Sequence, residues 1–317
     1  MKRYIKNPII SRHDIVSDMD ELRDVSSVFN PGAVKYGNKI LLLLRVQNRA
    51  RETLLVKAIS DDGYSFNISA QPVEFIGLDK QKDHVIYHIY DPRITEIESK
   101  YYIMCAMDTS KGCFLGLFTT DNFDKLYFQG FVSEPDVRNG VLFSEKIQGS
   151  YYRLERPNRC LLENGPKTGS GITVSRSADL IHWEKVSDLF AGRPHYWDEL
   201  IGSGPPPIKT RQGWLHIYHG VATHFASSNI YQAGYSLLDI NNPQIVLKRG
   251  KYNILEPREL YELTGQVPNV VFPSGIIADE YDEEGFIEDK CPIKIYYGAA
   301  DTVVALVETK LNEILKM

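Results

Sequence analysis

Cysteine is scarce in this chain, with four among 317 residues. Cys105, Cys113, Cys160 and Cys291 show neither a CxxC pair nor mixed Cys/His spacing, which excludes a disulfide scaffold or a zinc-ribbon site and leaves free, mostly buried thiols. Long apolar runs are absent too. Nothing approaches the roughly 18 consecutive apolar residues of a membrane-spanning helix. At the N-terminus, MKRYIKNPIISRHDIVSD, the residues Lys6, Asn7 and Pro8 interrupt the apolar core that a secretory signal requires, so a cytoplasmic protein is expected. There is no excess of positive charge: 36 Lys and Arg against 41 Asp and Glu give a formal charge of -5. That removes the electrostatic reason for a nucleic acid or an anionic membrane as partner, and any anion site must be local. Helical periodicity is nearly missing as well. Its best case is TVVALVETKLNEILKM (302–317), where Val304, Leu306, Leu311 and Leu315 can share one face.

What is present is apolar and aromatic bulk, 43% hydrophobic and 11% aromatic residues, enough for a large core in two ordinary domains or one large all-β domain. A repeat decides between them. A turn rich in Gly, Asn or Ser leads into a β-branched and aromatic strand at GNKILLLLRV (37–46), ESKYYIMCAM (98–107), QGSYYRLER (148–156), RQGWLHIYHG (211–220) and PIKIYYGAAD (292–301). The intervals of roughly 50–80 residues are those of four-stranded sheets with their connections. A second motif, ISDDGYSF (59–66), TTDNFDKLYF (119–128) and SRSADLIHWEK (175–185), supplies hairpin turns between them. The expected fold is therefore all-β: a single five-bladed β-propeller over residues 1–317 with a short C-terminal helical tail. Pro205-Pro206-Pro207 reads as a rigid lead-in to a repeat strand rather than a linker.

In a propeller the innermost strands converge on a channel, and the repeats predict which residues meet there. Arg45, Asp91, Arg156, His219 and Asp301 fall at corresponding strand ends. Tyr90-Asp91-Pro92-Arg93 puts one acid before the cations Arg138, Arg156, Lys209 and His219, and no second acid is so placed beside them. Glycoside hydrolysis ordinarily needs two carboxylates. One acid with a cationic pocket suits attack by phosphate, which arrives charged and needs only to be held in line.

The motifs NPGA (30–33), YDPRIT (90–95), LERPN (154–158), IGSGPPPIKT (201–210), GWLHIYHGV (213–221), VFPSG (271–275) and YYGAADT (296–302) together resemble glycoside hydrolase family 130, the inverting β-mannoside phosphorylases and related β-mannosidases. The likeness runs from about residue 28 to 305. It implies a five-bladed propeller and reversible phosphorolysis of a β-mannoside to α-D-mannose 1-phosphate. It also implies that Asp91 is the general acid, delivering its proton through the 3-hydroxyl of the bound mannosyl unit. Arg138, Arg156, Lys209 and His219 would hold phosphate, and Asn30, Arg45, Tyr90 and Asp301 the mannosyl unit. Inorganic phosphate is then a co-substrate, with no other cofactor and no metal. Many members carry a Lys-Asp pair where this chain has Arg138-Asn139, which keeps the positive charge. Hydrolysing members lack part of the basic set, so its retention points to phosphorolysis. The expected substrates are β-1,4-linked mannosyl-glucose, mannosyl-N-acetylglucosamine or manno-oligosaccharides, with β-1,2-mannosides or β-mannosidase action as the alternatives within the family. A homo-oligomer is compatible with the family.

Blander readings exist for individual residues. Asp91 precedes proline as in a common turn, Asp301 suits the N-cap of a helix starting near Thr302, and His219 suits a core position. The stretch His195-Tyr196-Trp197-Asp198 fits either a sugar-stacking surface or a packed loop, and so do Tyr231, Tyr235 and Phe272. His84 and His88 lack a third metal ligand. Two competing functions are a non-catalytic binding propeller and a glycosidase of the arabinanase or invertase kind, which needs three channel carboxylates.

Overall fold

The structure, a computed structural model, describes residues 1–81, 83–158, 169–223 and 228–317. Five antiparallel sheets follow one another along the chain as propeller blades. Blade one consists of Val25–Tyr36, Lys39–Asn48, Thr53–Ser60 and Asn67–Pro72. Blade two runs through Ile86–Ile97, Lys100–Thr109, Gly112–Thr120 and Lys125–Phe131, with Glu74–Ile76 added in parallel at its outer edge. Blade three is Val137–Leu142, Tyr151–Pro157, Gly171–Ser177 and Glu184–Ala191. In blade four, Leu200–Ser203 and Ile208–Thr210 share the neighbour Gly213–Ala222, followed by Ile230–Leu238 and Val246–Arg249. Blade five joins Val271–Ala278, Pro292–Ala299 and Val303–Lys310 to the N-terminal Lys2–Arg3.

Five large apolar clusters lie between the sheets, one at each junction, and the last joins blade five back to blade one through Ile277, Tyr296, Val304 and Leu306 against Leu42, Leu44 and Val56. The ring therefore closes on continuous burial, and each blade uses both faces. That explains the strands of the repeat. Leu41 to Leu44 in blade one and Tyr296 and Tyr297 in blade five are wholly buried, because a mid-sheet strand is covered on both sides.

The repeat strands turn out to be the second strand of each blade, one place out from the channel. The innermost strands are less regular, and for a reason that shapes the site. Four of them break register at the same place, between Phe29 and Gly32, Tyr90 and Arg93, Arg138 and Val141, and Pro273 and Gly275. The fifth is split by Pro205–Pro207, which link its two halves. Such bulges bend a strand and re-aim its side chains. The turn motifs behave as expected, with Ser60 and Asp62, Thr120, and Ser177 and Asp179 accepting backbone N–H groups of their own turns.

The tail is shorter than its periodicity suggested. Residues 303–310 form a strand, since Val304 and Leu306 alternate with partners across the sheet, and only Leu311–Ile314 is helical. Asp301 accordingly caps no helix. No helix among the described residues is long and apolar enough to cross a membrane. Cys105, Cys113 and Cys291 are free and buried, and Cys160 lies outside the described residues.

Candidate active site

A cavity of about 420 Å³ opens at one end of the channel and is lined by Asn30, Arg45, Tyr90, Asp91, Arg138, Arg156, His219 and Asp301, eight of the nine positions singled out in the sequence. The ninth, Lys209, is elsewhere. It lines a separate cavity of about 390 Å³ with Pro206, Pro207 and Glu145, and its ammonium is held by Glu145 Oε1 at 2.8 Å and by the Glu284 carbonyl at 3.0 Å. The inner half-strand Ile208–Thr210 begins beyond the proline break, which separates Lys209 from the residues before it.

Asp91 stands at the blade-two bulge with a φ of 55°, a left-handed conformation that Asp tolerates better than most residues. Its Oδ1 accepts Asn30 Nδ2 at 2.5 Å and Arg45 NH1 at 2.6 Å, while Arg93 NH1 stands 4.0 Å from Oδ2. Burial alone would raise its pKa. Arg45, Arg93 and the Asn30 amide outweigh that and hold the carboxyl below the usual carboxylate range. Arg93, wholly buried, donates from Nε to the Gly204 carbonyl at 2.9 Å and from NH1 to the Asp91 carbonyl at 2.7 Å, tying blade two to blade four beneath the acid.

A second carboxyl with the opposite character shares the cavity. Burial, helped by the charge of Asp91 and opposed by Arg45, pushes Asp301 up to about 6. A third, Asp108, accepts the Tyr90 hydroxyl at 3.0 Å and Arg138 NH2 at 3.4 Å on one oxygen, Oδ1. The Tyr90 ring is flanked by two guanidiniums, Arg45 at 4.7 Å and Arg138 at 5.9 Å from its centroid. Among the described residues three acids thus reach the cavity rather than one, and two of them, Asp91 and Asp108, are paired with arginines.

Blades three and four supply another part of the lining. Arg156 is lowered to about 10 by burial and by neighbouring Arg138, and remains a cation at neutral pH. His219 is wholly buried, packed on Phe272 at 4.5 Å and Tyr231 at 6.1 Å between ring centroids. Burial and the nearby Arg156 and Arg93 drive its pKa well below the ordinary value, so it is a neutral imidazole rather than the cation expected.

Tyr231 and Phe272 line the cavity, whereas Tyr235 is buried in the core. The 195–198 stretch is a packed loop: Trp197 stacks on Tyr218, and wholly buried Asp198 is bound by Arg193 and Arg249. His84 packs on Phe131, and His88 lines the cavity with Gln47, Arg51 and Thr53. The reading of the sequence missed Asp108, Arg93 and Arg51. Only Arg93 carried a signal, as the last residue of the Asp-Pro-Arg motif.

A five-bladed propeller whose channel mouth combines, among the described residues, pinned carboxylates, four arginines, a neutral histidine and aromatic rings has the equipment of a carbohydrate-active enzyme that also accommodates an anion. Comparison with known proteins makes this specific. Residues 1–317 match the family described as beta-1,4-mannooligosaccharide phosphorylase, and the chain belongs to glycoside hydrolase family 130, enzymes acting on β-mannosides. It is 31% identical to the beta-1,2-mannobiose phosphorylase of Listeria innocua, covering 99% of this chain and 97% of that protein. It is 30% identical to the beta-1,4-mannooligosaccharide phosphorylase of Ruminococcus albus, over 99% of this chain and 89% of that one. The solved Listeria innocua enzyme in complex with beta-1,2-mannobiose superposes with a TM-score of 0.82 over 99% of this chain and 98% of that one, at 29% identity.

Proposed function

We propose that this protein cleaves β-mannosides by phosphorolysis, releasing α-D-mannose 1-phosphate and the shortened acceptor. The observation that carries the reading is the division of the cavity into two walls. Asn30, Arg45, Tyr90, Asp91 and Asp301, from blades one, two and five, suit an uncharged sugar with many hydroxyls, and Arg138, Arg156 and His219, from blades three and four, suit an oxyanion. Inversion requires attack and departure on opposite faces of the anomeric carbon, so in this reading the anion lies across the sugar from the leaving group.

Asp91 serves as the acid, and the sugar makes that role compatible with the lowered pKa that Arg45, Arg93 and Asn30 impose. A mannosyl unit lying on Asp91 takes Asn30 and Arg45 as its own partners, which relieves the contacts that keep the carboxyl deprotonated. The proton then passes through the sugar hydroxyl hydrogen-bonded to Asp91 and on to the leaving oxygen. Asp301, Asn30, Arg45 and Tyr90 orient the ring. Phosphate is the co-substrate.

Hydrolysis is the second reading, favoured by one observation: with Lys209 paired to Glu145 outside the cavity and His219 neutral, two of the four expected cations, Arg138 and Arg156, stand on the oxyanion wall among the described residues. The test incubates the protein with β-1,2- and β-1,4-mannobiose, with and without phosphate, because the relatives divide between these linkages at nearly equal identity. Mannose 1-phosphate formed only with phosphate supports phosphorolysis, and free mannose formed equally without it supports hydrolysis. Free buried thiols and a formal charge of -5 suit a cytoplasmic enzyme of small molecules rather than of membranes or nucleic acids.

A further inference from the structure

The oxyanion wall contains acceptors as well as cations. Asn139 is 6% exposed and His219 0%, and the Asn139 Oδ1 and both ring nitrogens of His219 are buried without a hydrogen-bond partner among the described residues. Both residues line the cavity beside Arg138 and Arg156, whose Nε atoms are also buried and unpartnered. The two residues lie side by side against Gly202, where a Cβ would stand 2.5 Å from His219 Cε1, 2.6 Å from Asn139 Oδ1 and 2.7 Å from His219 Nε2. Asn139 is held there by the blade-three bulge, at a φ of 52°.

Buried polar atoms are nearly always paired, so a cluster of unpaired ones in a cavity describes the ligand that completes it. The arginines ask for anionic oxygens. Asn139 Oδ1 can only accept, and a neutral imidazole in either tautomer carries one acceptor nitrogen and one N–H donor. We propose that Asn139 and His219 read a proton on the bound anion, so that the site selects a protonated tetrahedral oxyanion, one bearing an –OH, over one that is fully ionised. Inorganic phosphate and arsenate carry such a hydroxyl near neutral pH, and sulfate of the same shape does not. Sulfate leaves the acceptors buried and unpaired, a penalty that hydrogen-bonding sites use to reject otherwise similar ligands. Burial and the neighbouring arginines, by keeping His219 neutral, preserve its acceptor.

This inference rests on the reading of that wall as the phosphate site, and one experiment separates the two. Phosphate, arsenate and sulfate are titrated calorimetrically into the protein at pH 7 and constant ionic strength, with mannose present to fill the sugar wall. Phosphate and arsenate are expected to bind at least about tenfold more tightly than sulfate. Asn139→Gly, which tolerates the left-handed backbone but removes the acceptor, should weaken phosphate and leave sulfate unchanged, bringing the ratio to within about threefold. Asn139→Asp keeps an acceptor in place and should retain the preference at lower overall affinity. Equal phosphate and sulfate binding in the wild type, or an undiminished preference in Asn139→Gly, overturns the inference and leaves phosphate binding intact. Failure of all three anions to bind overturns the phosphate site itself, and the inference with it.

Discussion

Asp91 and Asp301 share a cavity and an arginine neighbour yet are driven in opposite directions, and the difference lies in their partners. Asp91 receives two short hydrogen bonds, from Asn30 and Arg45, whereas Asp301 receives burial and the repulsion of Asp91. A carboxyl raised to about 6 in the folded state binds its proton more tightly there than in the unfolded chain. Its ionised form therefore costs stability above pH 6, and the cost vanishes towards pH 4. Asp301→Asn should accordingly raise the melting temperature at pH 8 by on the order of 2 °C or more and by clearly less at pH 4.5, while weakening mannoside binding. An equal shift at both values contradicts the assignment. The same scale separates the cations. Arg156→Ala should raise the KM for phosphate by roughly tenfold or more, the value of a charge-assisted contact, and Lys209→Ala should leave it within about twofold. Initial rates across a phosphate series measure both. Of the eight positions that the cavity brings together, Arg45, Asp91, Arg156, His219 and Asp301 were legible as corresponding strand ends and Tyr90 from the Asp-Pro-Arg motif, whereas Asn30 entered only through the resemblance carried by NPGA and Arg138 as a cation downstream of Asp91. Lys209 lines a different cavity because the prolines interrupt its strand, which the order of residues along the chain does not reveal. Asp108 left no mark because its role depends on Tyr90 and Arg138, which only the sheet register brings beside it.

The inner strand, not the repeat strand, gives the site its shape. Its bulges put Asn30, Asp91 and Asn139 at equivalent points in three blades, with Asp91 and Asn139 in left-handed backbone that a regular strand would not supply. The apolar repeat was easy to see because a mid-sheet strand is buried on both faces. The bulged strand hid because bulges leave no periodic trace, and the dipeptides Asn30-Pro31, Asp91-Pro92 and Asn139-Gly140 read as ordinary turn chemistry. Second strands then support first ones. Gly298, in blade five, lies against Asn30, and a Cβ there would stand 2.7 Å from the Asn30 backbone nitrogen. Gly298→Ala should therefore displace Asn30 from Asp91, costing about 1–3 kcal/mol of stability and lowering kcat disproportionately. Denaturant melts with parallel kinetics check this. A stability loss with unchanged kcat would place the strain elsewhere.

Across the whole molecule, the ring depends on its joint. Blade five is completed by Lys2–Arg3, and the Arg3 guanidinium grips wholly buried Glu262 with Nε at 2.8 Å and NH2 at 2.9 Å while also donating to the Glu256 carbonyl. Arg3→Ala leaves the Glu262 carboxylate buried without its counter-charge and should destabilise the protein by on the order of 3 kcal/mol at pH 7. Urea unfolding measures it, and a change below about 0.5 kcal/mol, the ordinary scatter of a surface substitution, contradicts a closing role. A ring closed in this way holds blades three and four at a fixed distance from blades one and five, and with them the oxyanion and sugar walls. The proposed role of phosphate, seated on Arg138, Arg156 and His219, as the nucleophile is read by following β-mannobiose cleavage as phosphate is raised from zero. The rate is expected to start at the background, saturate with phosphate and yield one α-D-mannose 1-phosphate per bond cleaved. A rate independent of phosphate, with free mannose as the product, contradicts it.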